Sequence, residues 1–261
     1  MGAAPDPREA WEQRARRDGD SLRAVLFRNF PGVLNQHLHA WHAEVVLAGL
    51  PAQGAVRVLD VGCGWGRLAE VIRAARPQAE LVGLDASPHF AALFRERLGQ
   101  PAVVADLRRL PADLGSFDAV LCVTALMYLA PAELAPCVAA LAARLRPGGR
   151  LILVENDRSG LGFLTAGGLI GKPARTGTGG RYLEAGEVRA ALGGAGLRLC
   201  WERRLPATSV CILPLALLGL LAGPAARPAL RAAARLDRWT TALALPSLYV
   251  AWAAERGAGG C

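Results

Sequence analysis

Lysine is almost absent. It occurs once, at Lys172, so the formal net charge of +8 is carried by arginines dispersed along the chain. A nucleic-acid footprint needs a basic stripe interleaved with aromatics, and none is visible, so nucleic acid is not an expected partner. The densest basic cluster, Arg14, Arg16, Arg17 and Arg23, reads as a solvated helix face. The six cysteines, at 63, 122, 137, 200, 211 and 261, include no C-x-x-C pair. That spacing excludes a disulfide framework and a zinc site and points to a reducing, cytoplasmic compartment. Met1 to Glu12 has early acids and no apolar core, so no secretory leader is expected. Asp6 stands where a myristoylation signal needs Ser or Thr. No Ser/Pro-rich or charged linker divides the 261 residues, of which 52% are hydrophobic, enough for one substantial α/β core.

The stretch that organises this core is Val56 to Arg67. A run of apolar and β-branched residues, then Gly62, Gly64 and Gly66 on alternate positions, then the helical pattern Leu68, Ala69, Val71, Ile72 describes a buried strand, a tight turn and a helix. A dinucleotide fingerprint would be G-x-G-x-x-G, but Arg67 fills the sixth position counted from Gly62. The loop is G-x-G-x-G, which lets backbone crowd a compact ligand. Asp60, two residues before the first glycine, sets a carboxylate beside the turn that can attract a cationic group.

Asp60-Val61-Gly62-Cys63-Gly64-Trp65-Gly66 resembles the first motif of class I S-adenosylmethionine (SAM) dependent methyltransferases, and later stretches fall in that family's order. Leu81-Val82-Gly83-Leu84-Asp85 is a second buried strand ending in an acid, where a carboxylate can accept from both ribose hydroxyls. Val103-Val104-Ala105-Asp106-Leu107 follows, and then Phe117 to Val123 and Leu145 to Glu155. The resemblance covers roughly residues 56 to 155. It implies SAM as cofactor, held by Asp60, Gly62, Cys63, Gly64, Asp85 and the adjoining Ala86. By the same resemblance Asp106 takes the adenine amino group, the Leu107 amide lies beside the ring, and the Val123 carbonyl accepts from the SAM amine. The implied fold is a Rossmann-like doubly wound sheet of seven strands in the order 3-2-1-4-5-7-6, with strand 7 antiparallel. Residues 1–50 read as an N-terminal helical lid, and 51–261 as the SAM-binding core.

Asp6, Pro7 and Glu9 open a helix that is interrupted at Asp18 to Asp20, and a segment from Ser21 reaches Asn29. From Pro31 to about Leu47 runs a longer helix whose Leu34, Leu38, Trp41 and Val45 share one stripe. It holds His37, His39 and His42. At 100° per residue His37 and His42 flank the stripe on opposite sides while His39 points away, so no face gathers a metal triad and no metal is expected. His37 or His42, at the margin between stripe and solvent, is a candidate general base. Leu34 to Trp41 is weakly similar to the Asn-Pro-x-Arg-x-x-Trp stretch of quinone-biosynthesis O-methyltransferases, in which the arginine meets the SAM carboxylate. Leu38 stands at that position here. A glycine-loop amide or Arg67 is the replacement, and the quinone substrate is not carried over.

Beyond Val123, Tyr128 has a hydroxyl that can orient a nucleophile or serve as an aromatic wall. Asn156 and Asp157 follow the fifth strand and are expected to face the same pocket, with Asp157 a further base candidate. Glu133 to Arg146 is read as a helix stopped by Pro147-Gly148-Gly149. Residues 158–181 are glycine-rich and read as a closing loop. A helix is expected around Val188 to Leu192, and strands at Leu197 to Arg203 and Tyr249 to Ala253.

Leu205 to Ala226 carries no charge. It is just long enough to span a bilayer, but Pro214, Gly219 and Gly223 interrupt it and it lies inside the last hairpin of the sheet. We read 205–240 as an apolar helical insertion that covers the strand ends, with a homodimer face as the alternative. Arg227, Arg231, Arg235 and Arg238 would line one face of its next helix, which fits an amphiphilic substrate or a peripheral membrane contact. The expected activity is methyl transfer to an oxygen or carbon of a hydrophobic small molecule or lipid-like metabolite. N-methylation of an amine or peptide, or a non-catalytic accessory subunit, are the alternatives.

Overall fold

The computed structural model describes residues 6–28, 32–52, 56–159, 179–206 and 247–257, with Pro228, Ala232 and Arg235 singly. The closing loop expected at 158–181 and the insertion at 205–240, with its arginine face, lie almost wholly outside the described residues.

Buried, near-continuous apolar runs give parallel strands covered on both faces. They are β1 (Arg57–Val61), β2 (Glu80–Asp85), β3 (Ala102–Val104), β4 (Phe117–Val123) and β5 (Leu145–Asn156), joined by β6 (Leu197–Pro206) and β7 (Ser247–Arg256). The sheet order is β3-β2-β1-β4-β5-β7-β6, with β7 antiparallel to both neighbours, as the sequence led us to expect.

One face is covered by α3 (Gly32–Gly49), α4 (Arg67–Ala75) and α5 (Pro88–Leu98), with Leu38, Val45, Leu68, Ile72 and Phe94 packed on Val58, Leu81, Leu121 and Ile152. The other is covered by α6 (Pro131–Ala143) and α7 (Ala185–Gly194), with Val138, Leu141, Val188 and Leu192 on Leu59, Val120, Leu153 and Trp252. Residues adjacent along β5, Ile152 and Leu153, thus serve opposite cores, the period-two alternation of a strand.

Two boundaries differ from the sequence reading. The helix expected from Glu133 to Arg146 starts at Pro131 and ends at Ala143, because Leu145 already pairs with Phe117. The register then jumps so that Ala119 faces Arg150, and Arg146 to Gly149 bulge out of the ladder. The early segment is shorter than expected: after α1 (Pro7–Asp18), α2 covers only Leu22–Val25.

Candidate functional site

At the carboxyl ends of β1, β2 and β4, where open α/β sheets hold ligands, lies an open cavity of about 930 Å³ counted to its mouth. β1 delivers Asp60 to its floor. The glycine loop is fastened to β2 by the Gly62 and Cys63 amides, which donate to the Leu84 carbonyl at 2.7 and 3.1 Å. Gly62 has φ +73°, and a Cβ there would stand 2.9 Å from the Cβ of Ala125. Only glycine lets the loop lie this close to the β4 turn.

The Gly64 amide donates to Asp85 Oδ2 at 2.8 Å, and the Ser87 amide donates to Oδ1 at 2.9 Å. Burial pushes the Asp85 carboxyl up to about 6 against the pull of those amides. Burial likewise pushes Asp60 up to about 7, with Asp85 adding to the rise and Arg67 opposing it. These are two half-committed acids on one wall, the kind of perturbation that marks functional clefts.

Asp106 reaches the cavity after β3, with the Arg108 amide donating to its Oδ1 at 2.8 Å. Past β4 the chain turns at Thr124, a non-glycine residue at φ +56° whose amide donates to the Val154 carbonyl. The turn is clamped from below by Glu155, whose Oε1 accepts from the Ala125 and Leu126 amides at 2.9 and 2.7 Å. Burial pushes that carboxyl up to about 8, so it carries a proton at neutral pH.

The remaining wall comes from α1. Its start is fixed by Asp6, which accepts from the Arg8 amide, and Pro7, Arg8 and Trp11 line the cavity. Trp11 meets Tyr128 edge-on at 6.0 Å between ring centroids. Glu12 latches the helix to the turn after Asp85 by accepting from the Ser87 hydroxyl and the His89 amide.

A family profile described as a methyltransferase domain matches residues 58–149. A ubiquinone biosynthesis O-methyltransferase of Xanthomonas axonopodis is 36% identical over 129 residues, 47% of this chain and 52% of that protein. An uncharacterized methyltransferase of Mycobacterium tuberculosis is 39% identical over 136 residues, 52% of this chain and 54% of the other. Among solved structures, geranyl diphosphate C-methyltransferase from Streptomyces coelicolor in complex with S-adenosylhomocysteine superposes with a TM-score of 0.61 at 16% identity, covering 97% of this chain and 100% of that one. Residues 58–149 thus match a methyltransferase domain, and the fold is one shared with SAM-dependent methyltransferases. The chain spans about half the length of the curated relatives it matches.

All nine residues that the resemblance assigns to the cofactor, Asp60, Gly62, Cys63, Gly64, Asp85, Ala86, Asp106, Leu107 and Val123, line this one cavity. Of the base candidates only Tyr128 lines it. His37 and His42 are not at a solvent margin but buried, because α3 packs flush against α4 and the β5–β7 side of the sheet. His42 Nδ1 lies 3.0 Å from Arg67 Nη2, its ring meets Tyr249 edge-on, and burial holds its pKa well below the ordinary imidazole value. His39, expected to point away, turns inward to place Nδ1 3.2 Å from Arg67 Nη1.

Asp157 does not face the cavity. Its amide donates to the Leu248 carbonyl, so the side chain turns toward β6 and β7. There it pairs with Arg204 at 3.1 Å and accepts from the Ser159 and Ser247 hydroxyls, in a separate hollow.

Sequence reasoning missed the Glu155 clamp and, within the expected lid, the place of Pro7, Arg8 and Trp11 on the cavity wall. The signal for Glu155 was a carboxylate closing an otherwise apolar strand. For Trp11 it was a large aromatic one turn from the acid of a lid helix.

Proposed function

We propose that the cavity binds SAM and that the protein transfers the methyl group to an oxygen or carbon of a hydrophobic small molecule. The observation that carries this is the convergence on one cavity of a backbone-tight G-x-G-x-G loop and an acid at the tip of β2 with unused acceptor capacity. Each Asp85 oxygen accepts one amide in the structure and can take a second bond, which suits a ribose diol. Asp106 supports the adenine end, with the Leu107 amide beside the ring and the Val123 carbonyl for the amine. Asp60 supplies negative charge where a sulfonium and an ammonium would be held.

When bound, the sulfonium provides an electrophilic methyl that moves by in-line displacement. The protein's part is to position the acceptor and take up its proton. Tyr128, against Trp11, is the group we assign to orienting the acceptor, and the apolar wall of Trp11, Val25 and Phe90 favours a greasy one. Among the described residues no helix is long and apolar enough to cross a membrane. Peripheral membrane contact or a homodimer through 205–240 is proposed from sequence alone, and flotation with anionic liposomes at low salt tests the former.

Incubation of the protein with tritiated-methyl SAM and a cell extract, followed by fractionation, tests the activity. Label in the solvent-extractable small-molecule fraction is expected. No transferred label, or label only in protein or RNA, overturns the reading.

A further inference from the structure

Glu155 is fully buried at the end of β5. Its Oε1 accepts from the Ala125 and Leu126 amides, but its Oε2 has no hydrogen-bond partner among the described residues. A buried acid with an idle oxygen is a poor choice for stability alone, because the unpaired atom carries a desolvation cost that an apolar side chain would not. Arg181 grips the same turn by its carbonyls. Its amide donates to the Met127 carbonyl at 2.8 Å and its Nε to the Leu129 carbonyl at 3.0 Å, while Nη1 pairs with Glu187 of α7 at 2.8 Å. Its Nη2 is likewise buried without a hydrogen-bond partner among the described residues. What the two side chains hold is strained: Thr124 sits at φ +56°, which a branched side chain disfavours. Thr124, Ala125 and Tyr128 all line the cavity. Val123 is held separately, by its pairing with Val154 in the β4–β5 ladder.

We propose that Glu155 and Arg181 are positioning residues for methyl transfer: by gripping the amides and the carbonyls of the turn from Thr124 to Leu129, they fix Thr124 and Tyr128 against the reacting centre. The inference rests on the function proposed above and names the residues that act behind Tyr128. Strained backbone persists only where its surroundings over-determine it, and here the surroundings are one buried acid and one arginine. Glu155 works as a neutral acid, since burial pushes its carboxyl up to about 8. A displacement of about 1 Å in such a wall is enough to slow a reaction roughly 100-fold. The cofactor contacts are set by the ends of β1, β2 and β4, so the brace governs the rate of transfer rather than cofactor affinity.

Transfer of tritiated methyl from SAM into the solvent-extractable fraction of a fixed amount of cell extract, followed over a range of SAM concentrations, tests this. Rates are expressed per folded molecule, with melting temperatures as the check, and S-adenosylhomocysteine affinity is read by calorimetry in parallel. Glu155→Ala should lower the maximum rate about 10- to 100-fold, with the KM for SAM and the S-adenosylhomocysteine affinity within about threefold of wild type. Glu155→Gln keeps an acceptor oxygen and no charge, and should recover the rate to within about threefold of wild type. Arg181→Met keeps the amide bond to Met127 but loses the Nε bond to Leu129, and should lie between. A purely structural brace would lower the melting temperature and leave the rate per folded molecule unchanged. That result overturns the inference, as does Glu155→Gln no faster than Glu155→Ala, or a loss of S-adenosylhomocysteine affinity equal to the loss of rate. If Glu155→Ala does not fold, a wild-type rate for Arg181→Met overturns it. Each of these outcomes leaves the proposed function standing, whereas a wild type that transfers no label overturns both.

Discussion

Removal of the Asp85 carboxylate is the sharpest perturbation of the cofactor site. In Asp85→Ala the chain loses the acceptor that pins Gly64 at 2.8 Å and the two remaining acceptor positions available to a ribose. A hydrogen bond to a charged group contributes about 1.5–3 kcal/mol, so two such bonds amount to roughly 3–6 kcal/mol. Gly64 lines the open cavity, where water can reach its freed amide, which places the net loss near the lower bound. About 3 kcal/mol corresponds to roughly 100-fold weaker S-adenosylhomocysteine binding. Asp85→Asn keeps one acceptor oxygen and should lie between, at about tenfold. Since the carboxyl titrates at about 6 in the ligand-free protein, wild-type affinity should also fall between pH 7.5 and pH 5, and Asp85→Ala should lack that component of the dependence. Isothermal titration calorimetry reads these values, with far-ultraviolet circular dichroism checking the fold. Affinity of Asp85→Ala within threefold of wild type would refute the ribose assignment.

Three further outcomes are expected. Glu12→Ala should release α1 from the Ser87–His89 turn and weaken cofactor binding by about tenfold, the worth of a lost charge-assisted contact, with little change in melting temperature; unchanged affinity would show that α1 is held by its aromatic contacts alone. Gly66→Ala forces an L side chain to φ +92°, with its Cβ 2.7 Å from Leu98 Cδ1. It should cost about 1–3 kcal/mol by chemical denaturation. Asp60 at about 7 and Glu155 at about 8 hold protons in the folded chain that an unfolded carboxyl releases near pH 4. Their contribution to stability therefore falls as pH rises through those values. His39 and His42, held neutral, act in the opposite sense around and below their unfolded value of about 6.5. Between pH 6.5 and 8 the two acids outweigh the histidines. The ligand-free protein should melt lower at pH 8 than at pH 6.5, and Glu155→Gln should flatten that slope.

Much of this was legible in the sequence because the physical signals were local. A buried run ending in Asp60, glycines at positions that need positive φ, and an acid closing the next apolar run each specify backbone within a few residues. Strand order came from the family resemblance that these motifs carry, and the sheet agrees with it. What escaped was the side-chain environment set by packing between distant elements. Helical spacing set His37 and His42 beside the Leu38 stripe, but it could not show that α3 would pack against α4, β5 and β7. Asp157 sits one residue past β5, where a single added pairing with Leu248 sends its side chain away from the cavity. The histidine partners of Arg67 are 25 and 28 residues away and meet it only in three dimensions. The bulge at Arg146 to Gly149 depends on Leu145 pairing with Phe117 before the helix signal has ended.

Titration of the purified wild-type protein with S-adenosylhomocysteine, set against NAD under the same conditions, tests the central claim most directly. Saturable one-to-one binding of the sulfur nucleoside with none of the dinucleotide is the predicted result. Uptake of NAD, or of neither ligand, would contradict it.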